Sequence, residues 1–220
     1  HVLVSRADEL RVDGVEDRAV DRVAEHHVAP RADPEPERGE RRAQLVRGEC
    51  GERGDQDAAE MARLAASAVG ATPDAALVLS TGIIGEFLPM GKIAAGIQAA
   101  LIQLGDSTES LTAAARGMLT TDTHHKLAGR TLALAGAEVS ITGMAKGAAM
   151  IGPRMATMLG VVMTDARLTP ADAQRLLSIV VEDTFNCISV DGHMSTNDTV
   201  LLIANGAAGG QPLEIGRAHV

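Results

Sequence analysis

Five short segments hold residues whose types could do chemistry. They are Ser80-Thr81-Gly82, Met118-Leu119-Thr120-Thr121-Asp122-Thr123, Lys146-Gly147, Met155-Ala156-Thr157-Met158-Leu159 and Ser195-Thr196-Asn197-Asp198-Thr199. A threonine hydroxyl is a weak nucleophile at neutral pH unless a base stands beside it. Each segment also has a plain structural reading. Ser80-Thr81-Gly82 reads as a strand-to-helix turn, and Thr120 as a strand or turn residue. Thr157 by itself reads as a β-branched residue bonded to backbone. Ser195–Thr199 reads as an Asx-rich turn after Asp191-Gly192. Lys146 alone reads as a solvated loop lysine. It is one of three lysines, with Lys92 and Lys126, so no run of charge accounts for it.

Other chemistries are poorly served. The adjacent pairs His26-His27 and His124-His125 would point apart on a helix or strand. No Cys, His and Asp spacing reads as a zinc site, so no metal is expected. Neither GxxxxGK[ST] nor a dinucleotide fingerprint occurs, and Gly209-Gly210 reads as a loop. Phe87 and Phe185 are the only aromatic residues and the net charge is −9. Base stacking and phosphate binding both lack their usual residues, so no nucleic-acid partner is expected. Cys50 and Cys187 form neither a CxxC pair nor a disulfide framework. With no signal peptide or bilayer-length apolar run in view, a reducing, cytoplasmic setting and no membrane partner are expected.

The elements that must position these residues can be read from periodicity. Met61, Leu64, Ala65 and Ala68 recur at helical spacing, and Gly70 is a plausible stop. Ala76–Leu79 reads as a short strand entering the Ser80-Thr81-Gly82 turn. Lys92 to Leu104 reads as a helix closed by Gly105. Residues 130–135 and 137–142 alternate around Gly136 as a hairpin. Thr169 as N-cap and Pro170 at the first helical position open a helix to about Asp183. Cys187–Val190 and Val200–Ala204 are further apolar runs. With 45% apolar residues to build a core, this mixture predicts an α+β or layered α/β fold.

In order and spacing, Ser80-Thr81-Gly82-Ile83-Ile84-Gly85-Glu86, Lys146-Gly147-Ala148-Ala149-Met150-Ile151, Pro153-Arg154-Met155-Ala156-Thr157-Met158-Leu159 and Ser195–Thr199 resemble the ornithine acetyltransferase family. The segment from Lys146 to Leu159 is the most specific, and the resemblance covers about residues 50–210. It implies helices packed on both sides of sheets. It implies a precursor that cuts itself between Ala156 and Thr157, leaving Thr157 with a hydroxyl and a free α-amine. An α-amine, with pKa about 8, can serve as the base. The hydroxyl would take the acetyl group of N2-acetylornithine and pass it to glutamate. Thr81 and Gly82 would stabilise the tetrahedral oxyanion; a glycine N–H can approach closely because no Cβ intervenes. Lys146 and Thr120 would contact substrate. No bound cofactor is implied, and the sequence does not separate members that also use acetyl-CoA as a donor from those that do not. Two cleaved chains of each kind would assemble as a heterotetramer.

The sequence also departs from the family. AQLVRGECGERG stands where an Asn-rich segment is usual, His124-His125 where Phe-Pro is usual before Lys126, and Ala148-Ala149 where Ser-Gly or Ala-Gly is common. Nearly half of the charged residues lie in the first 55 positions, with ten arginines and no lysine. Residues 1–54 therefore read as unlike the family, frame-shifted or disordered. Residues 55–156 read as part of the α chain, 157–212 as the start of the β chain and 213–220 as an artefactual tail. Because the first residue is His1 and the family continues past Gly210, a fragment is expected. The alternatives are a related N-terminal-nucleophile aminopeptidase and a non-catalytic fragment.

Overall fold

A computed structural model describes residues 2–4, 38–83, 85–134, 136–152, 158–193 and 198–213, with side chains from Gly51 onward. Ala156, Thr157 and Ser195 to Asn197 lie outside the described residues.

The architecture is mixed α+β with a helix-flanked sheet. A long helix, α1 (Arg38–Ala68), is interrupted at Gly51, whose φ of 57° and ψ of −145° are not helical. Glycine takes such a conformation without the Cβ penalty of other residues. The helix ends as the sequence indicates. Ala71 N–H donates to Ala66 O at 2.8 Å and Gly70 N–H to Ser67 O at 3.2 Å, the paired bonds of a Schellman stop around a positive-φ glycine. Ala58, Met61, Ala62, Ala65 and Ala66 are buried on one stripe of α1. Met61, Ala62 and Ala66 cluster with Ala76 and Val78 of β2 (Ala76–Val78), which pairs antiparallel with β1 (Val2–Val4).

α2 spans Met90–Leu101 and α3 Thr108–Gly117. The sequence reading did not identify α3. Its start signal is present, since Ser107 Oγ accepts from Ser110 N–H at 3.2 Å as an N-cap. Four strands then form the main sheet in the order β3 (Lys126–Leu134), β4 (Ala137–Lys146), β5 (Leu159–Thr164) and β6 (Thr199–Ala204). The hairpin at Gly136 is as expected, with longer arms; β4 and β5 are antiparallel, β5 and β6 parallel. A parallel pair needs a crossover, and α4 (Pro170–Asp183) supplies it. Thr169 Oγ1 accepts from Asp172 N–H at 3.1 Å, so the expected cap is present.

Of the two late apolar runs, Val200–Ala204 lies in β6 and Cys187–Val190 forms no strand. Cys187–Val190 leaves a 3-10 turn at Phe185–Cys187 and continues as an irregular segment with Ile188 and Val190 exposed. Val190 N–H donates to Ile151 O rather than to a strand ladder.

Leu79, Ala115, Met118, Met144, Leu159 and Val161 form the central cluster. Leu159 is 0% exposed at the start of β5. The variant Leu159→Ala is expected to lose about 2–5 kcal/mol, measured by denaturant unfolding.

Candidate active site

Period-2 alternation along β4 turns Thr142, Met144 and Lys146 to the same face, and all three are buried. Met144 belongs to the central cluster. Lys146 occupies the last core-facing position of that strand and is 2% exposed. This differs from a solvated loop lysine, and the reason is strand parity: a shift of one residue would have put it outside.

A buried ammonium needs compensation. Asp122 provides part of it. Its side chain is 0% exposed, and its Oδ1 accepts from Gly147 N–H at 2.7 Å and from Lys126 Nζ at 2.5 Å. Burial pushes the Asp122 carboxyl up, but Lys126, the Gly147 N–H and the charge of Lys146 together hold it below the usual range. Burial is the largest effect on Lys146 and lowers its pKa; Asp122 and Asp198 oppose this and Lys126 adds to it. Asp198 is pushed up by burial, against the Met158 N–H and Lys146. Lys146 thus lies in the field of two carboxylates and makes no direct ion pair with either among the described residues.

The register places the third component. Lys146 is paired with Leu159 across β4 and β5, and Leu159 with Thr199 across β5 and β6. Met158, just outside this row, is held by two consecutive residues. Its N–H donates to Asp198 Oδ1, and its C=O accepts from Thr199 N–H at 3.0 Å. Upstream, Asp191 accepts from Met150 N–H at 2.8 Å and Ile151 N–H at 3.0 Å. Ile151 O in turn accepts from Val190, Asp191 and Gly192. The chain on both sides of residues 153–157 is therefore tied to the chain on both sides of residues 194–197. The contact at Gly152 is tight: a Cβ there would meet Gly192 C at 3.0 Å and His193 O at 3.1 Å.

The Ser80-Thr81-Gly82 turn leaves the core beside this row, because Leu79 shares a cluster with Leu159. Ser80 is buried, Thr81 half-buried and Gly82 exposed. Ser80 Oγ and Asp122 Oδ2 are buried with no hydrogen-bond partner, so both retain capacity for a ligand or water. Thr120 is exposed, and the neighbour that turns inward is Asp122. Sequence reasoning missed Asp122, Asp191 and Asp198. The one available signal was that each sits within or beside a segment already singled out. The open groove formed by Thr108, Glu109, Thr112, Ala113 and Arg116 lies along α3 and includes none of these residues. No group of His, Cys, Asp and Glu that could hold a metal occurs among the described residues. Nor is any helix there long and apolar enough to cross a membrane.

With the site in place, comparison with known proteins defines the class. The model of the ArgJ family matches residues 48–218. The chain is 50% identical over 169 residues to a protein of Symbiobacterium thermophilum described as arginine biosynthesis bifunctional protein ArgJ, covering 77% of this chain and 42% of that protein. A Geobacter sulfurreducens protein of the same description is 47% identical over 166 residues, covering 76% and 42%. A mitochondrial one from Meyerozyma guilliermondii is 45% identical over 164 residues, covering 74% and 38%. A solved structure of the ArgJ protein of Bacillus halodurans matches with TM-score 0.43 and 38% identity, over 47% of this chain and 53% of that one. The chain belongs to the ArgJ family. It spans about two fifths of the length of the curated relatives it matches.

Asp122→Ala is expected to cost about 1–3 kcal/mol, because the Gly147 N–H and the Lys126 ammonium lose their acceptor. The depressed pKa means this contribution is present above the ordinary carboxylate range and fades as pH falls through the folded value. Unfolding of the parent and of Asp122→Ala should therefore converge in acid. Lys146→Met should raise the carboxyl pKa of both Asp122 and Asp198, read by carbon-13 NMR titration.

Proposed function

We propose that this chain carries the nucleophile-bearing part of an acetyltransferase of arginine biosynthesis. It moves an acetyl group from N2-acetylornithine to glutamate after the Ala156–Thr157 bond is cut. The observation that carries the reading is the row at Met158. Met158, the residue next to Thr157, is fixed on both backbone groups, one register position from the buried lysine that lies in the field of two carboxylates.

The chemistry follows from the residue types. Cleavage adds water across the Ala156–Thr157 peptide, leaving a carboxylate on Ala156 and an amine on Thr157. That amine takes the proton of the Thr157 hydroxyl as its oxygen attacks the acetyl carbonyl. The negative oxygen that develops is met by donors at Thr81 and Gly82; one such donor is worth about 3–4 kcal/mol in acyl transfer. Ornithine leaves, and the acetyl-threonine ester is then attacked by glutamate, so the kinetics are ping-pong. Lys146, and Thr120 through its segment, contact the amino-acid substrates, with Lys146 offering charge to a carboxylate. No cofactor is held in this scheme. The cleaved chains assemble as a heterotetramer of two α and two β chains in the cytoplasm.

The test uses the full-length gene product. On a denaturing gel the parent should give two pieces divided at Ala156/Thr157, and Thr157→Ala a single one with no acetyl transfer. A parent that transfers acetyl groups while staying one polypeptide would overturn the reading. So would acetyl release to water with no transfer to glutamate, which is hydrolase behaviour.

A further inference from the structure

The Thr157 amine, its hydroxyl and the donors at Thr81 and Gly82 supply the base, the nucleophile and the oxyanion contacts, but none of them holds the nucleophile still once its chain is cut. An uncut Thr157 is tethered through both neighbours. After cleavage it is a chain terminus, joined only to Met158. Any freedom at Met158 is passed to the hydroxyl and the amine together. A displacement of about 1 Å at a reacting group can cost about a hundredfold in rate.

Met158 has two main-chain polar groups, and both are occupied. Its C=O takes the Thr199 N–H in the ordinary parallel ladder of β5 and β6. The ladder does not take its N–H, because β6 begins at Thr199. The Asp198 carboxylate fills that position, Oδ1 accepting from the Met158 N–H. The bond is charge-assisted and partly shielded from water, so it is stronger than a neutral one. The charge of Lys146, at the end of the neighbouring strand β4, also favours the ionised carboxylate. Upstream the arrangement differs. Among the described residues the ties before the cut are those of Met150 and Ile151 to the 190–192 segment. After cleavage Thr157 stays one bond from a residue held on both sides.

We infer that Asp198 is a positioning residue for the cleaved enzyme: its carboxylate replaces a ladder acceptor at the Met158 N–H and so fixes the N-terminal threonine for attack. This rests on the reading of Thr157 as an N-terminal nucleophile, and it adds a role for a residue that does not touch substrate.

The experiment compares Asp198→Ala and Asp198→Asn with the parent, all as full-length gene products. Self-cleavage is read on a denaturing gel, and kcat and KM for acetyl transfer are measured on the cleaved fraction. The asparagine keeps an acceptor oxygen and the alanine removes it. Asp198→Ala should lower kcat by about ten- to a hundredfold with KM for N2-acetylornithine within about twofold. Asp198→Asn should recover most of kcat. Equal kcat in the parent and Asp198→Ala would overturn the inference, as would a rise in KM alone. An asparagine no better than alanine, with both variants folded by circular dichroism, would also overturn it. If Asp198→Ala does not fold, the Asp198→Asn arm decides: a parent-like kcat supports the inference, and a loss equal to that of a mistimed or uncut chain overturns it. Absence of cleavage in the parent is a different result, sinking the reading of Thr157 and leaving the Met158 bond as a purely structural contact.

Discussion

A charged amine at a core-facing strand position constrains everything around it. Lys146 is among the largest fully buried side chains of the described molecule, in the company of Leu79, Leu159 and Val161. An isolated ammonium in such surroundings would lose its proton or unfold the strand end. Carboxylates approach from two elements distant in sequence. Asp122 comes from the segment before β3, and Asp198 from the residue just before β6. Neither closes onto the amine as a direct ion pair. Each is instead spent on backbone N–H groups, Gly147 for one and Met158 for the other. The lysine is balanced by field rather than by contact, which leaves its own donors available.

The same two carboxylates therefore do double duty. By binding main chain they fix the ends of β4 and β5, and by their charge they oppose the lowering of the lysine pKa that burial causes. Asp191 repeats the backbone role at the neighbouring loop, accepting from Met150, Ile151 and His193. Carboxylates suit these positions because loop N–H groups beyond a strand end have no ladder partner, and a buried N–H left unpaired is costly. The site is thus built at the frayed margin of the sheet, where β4 ends and β5 and β6 begin.

A chain almost without aromatic residues reaches this arrangement by close approach. The buried stripe of α1 is mostly alanine, so the helix can lie near β2. Gly160 serves the other side: a Cβ there would stand 3.3 Å from the Phe185 ring and 3.4 Å from Val200. One of the two phenylalanines thus covers β5 where that strand has no side chain. The other, Phe87, is partly exposed beneath the Arg53 guanidinium, 3.9 Å from its centroid.

Much of this was legible in the residues. The hairpin at Gly136, the stop at Gly70 and the Thr169-Pro170 helix start follow from local chemistry, and the structure has them because a turn or cap depends on a few adjacent residues. The family, too, is written in the order of short segments around Thr81, Lys146 and Thr157. The apolar run Cys187–Val190 did not reveal its own conformation, because such a run states a preference for burial, not which partner will supply a ladder; Ile151 O took the Val190 N–H instead. The burial of Lys146, and the inward turn of Asp122 rather than Thr120, depend on strand parity and on contacts between segments 24 to 52 positions apart. Sequence by itself determined which residues could react and where the chain must turn. Only the tertiary structure decided which carboxylates meet which N–H groups, because hydrogen bonds between distant segments exist only once the sheet has set their register.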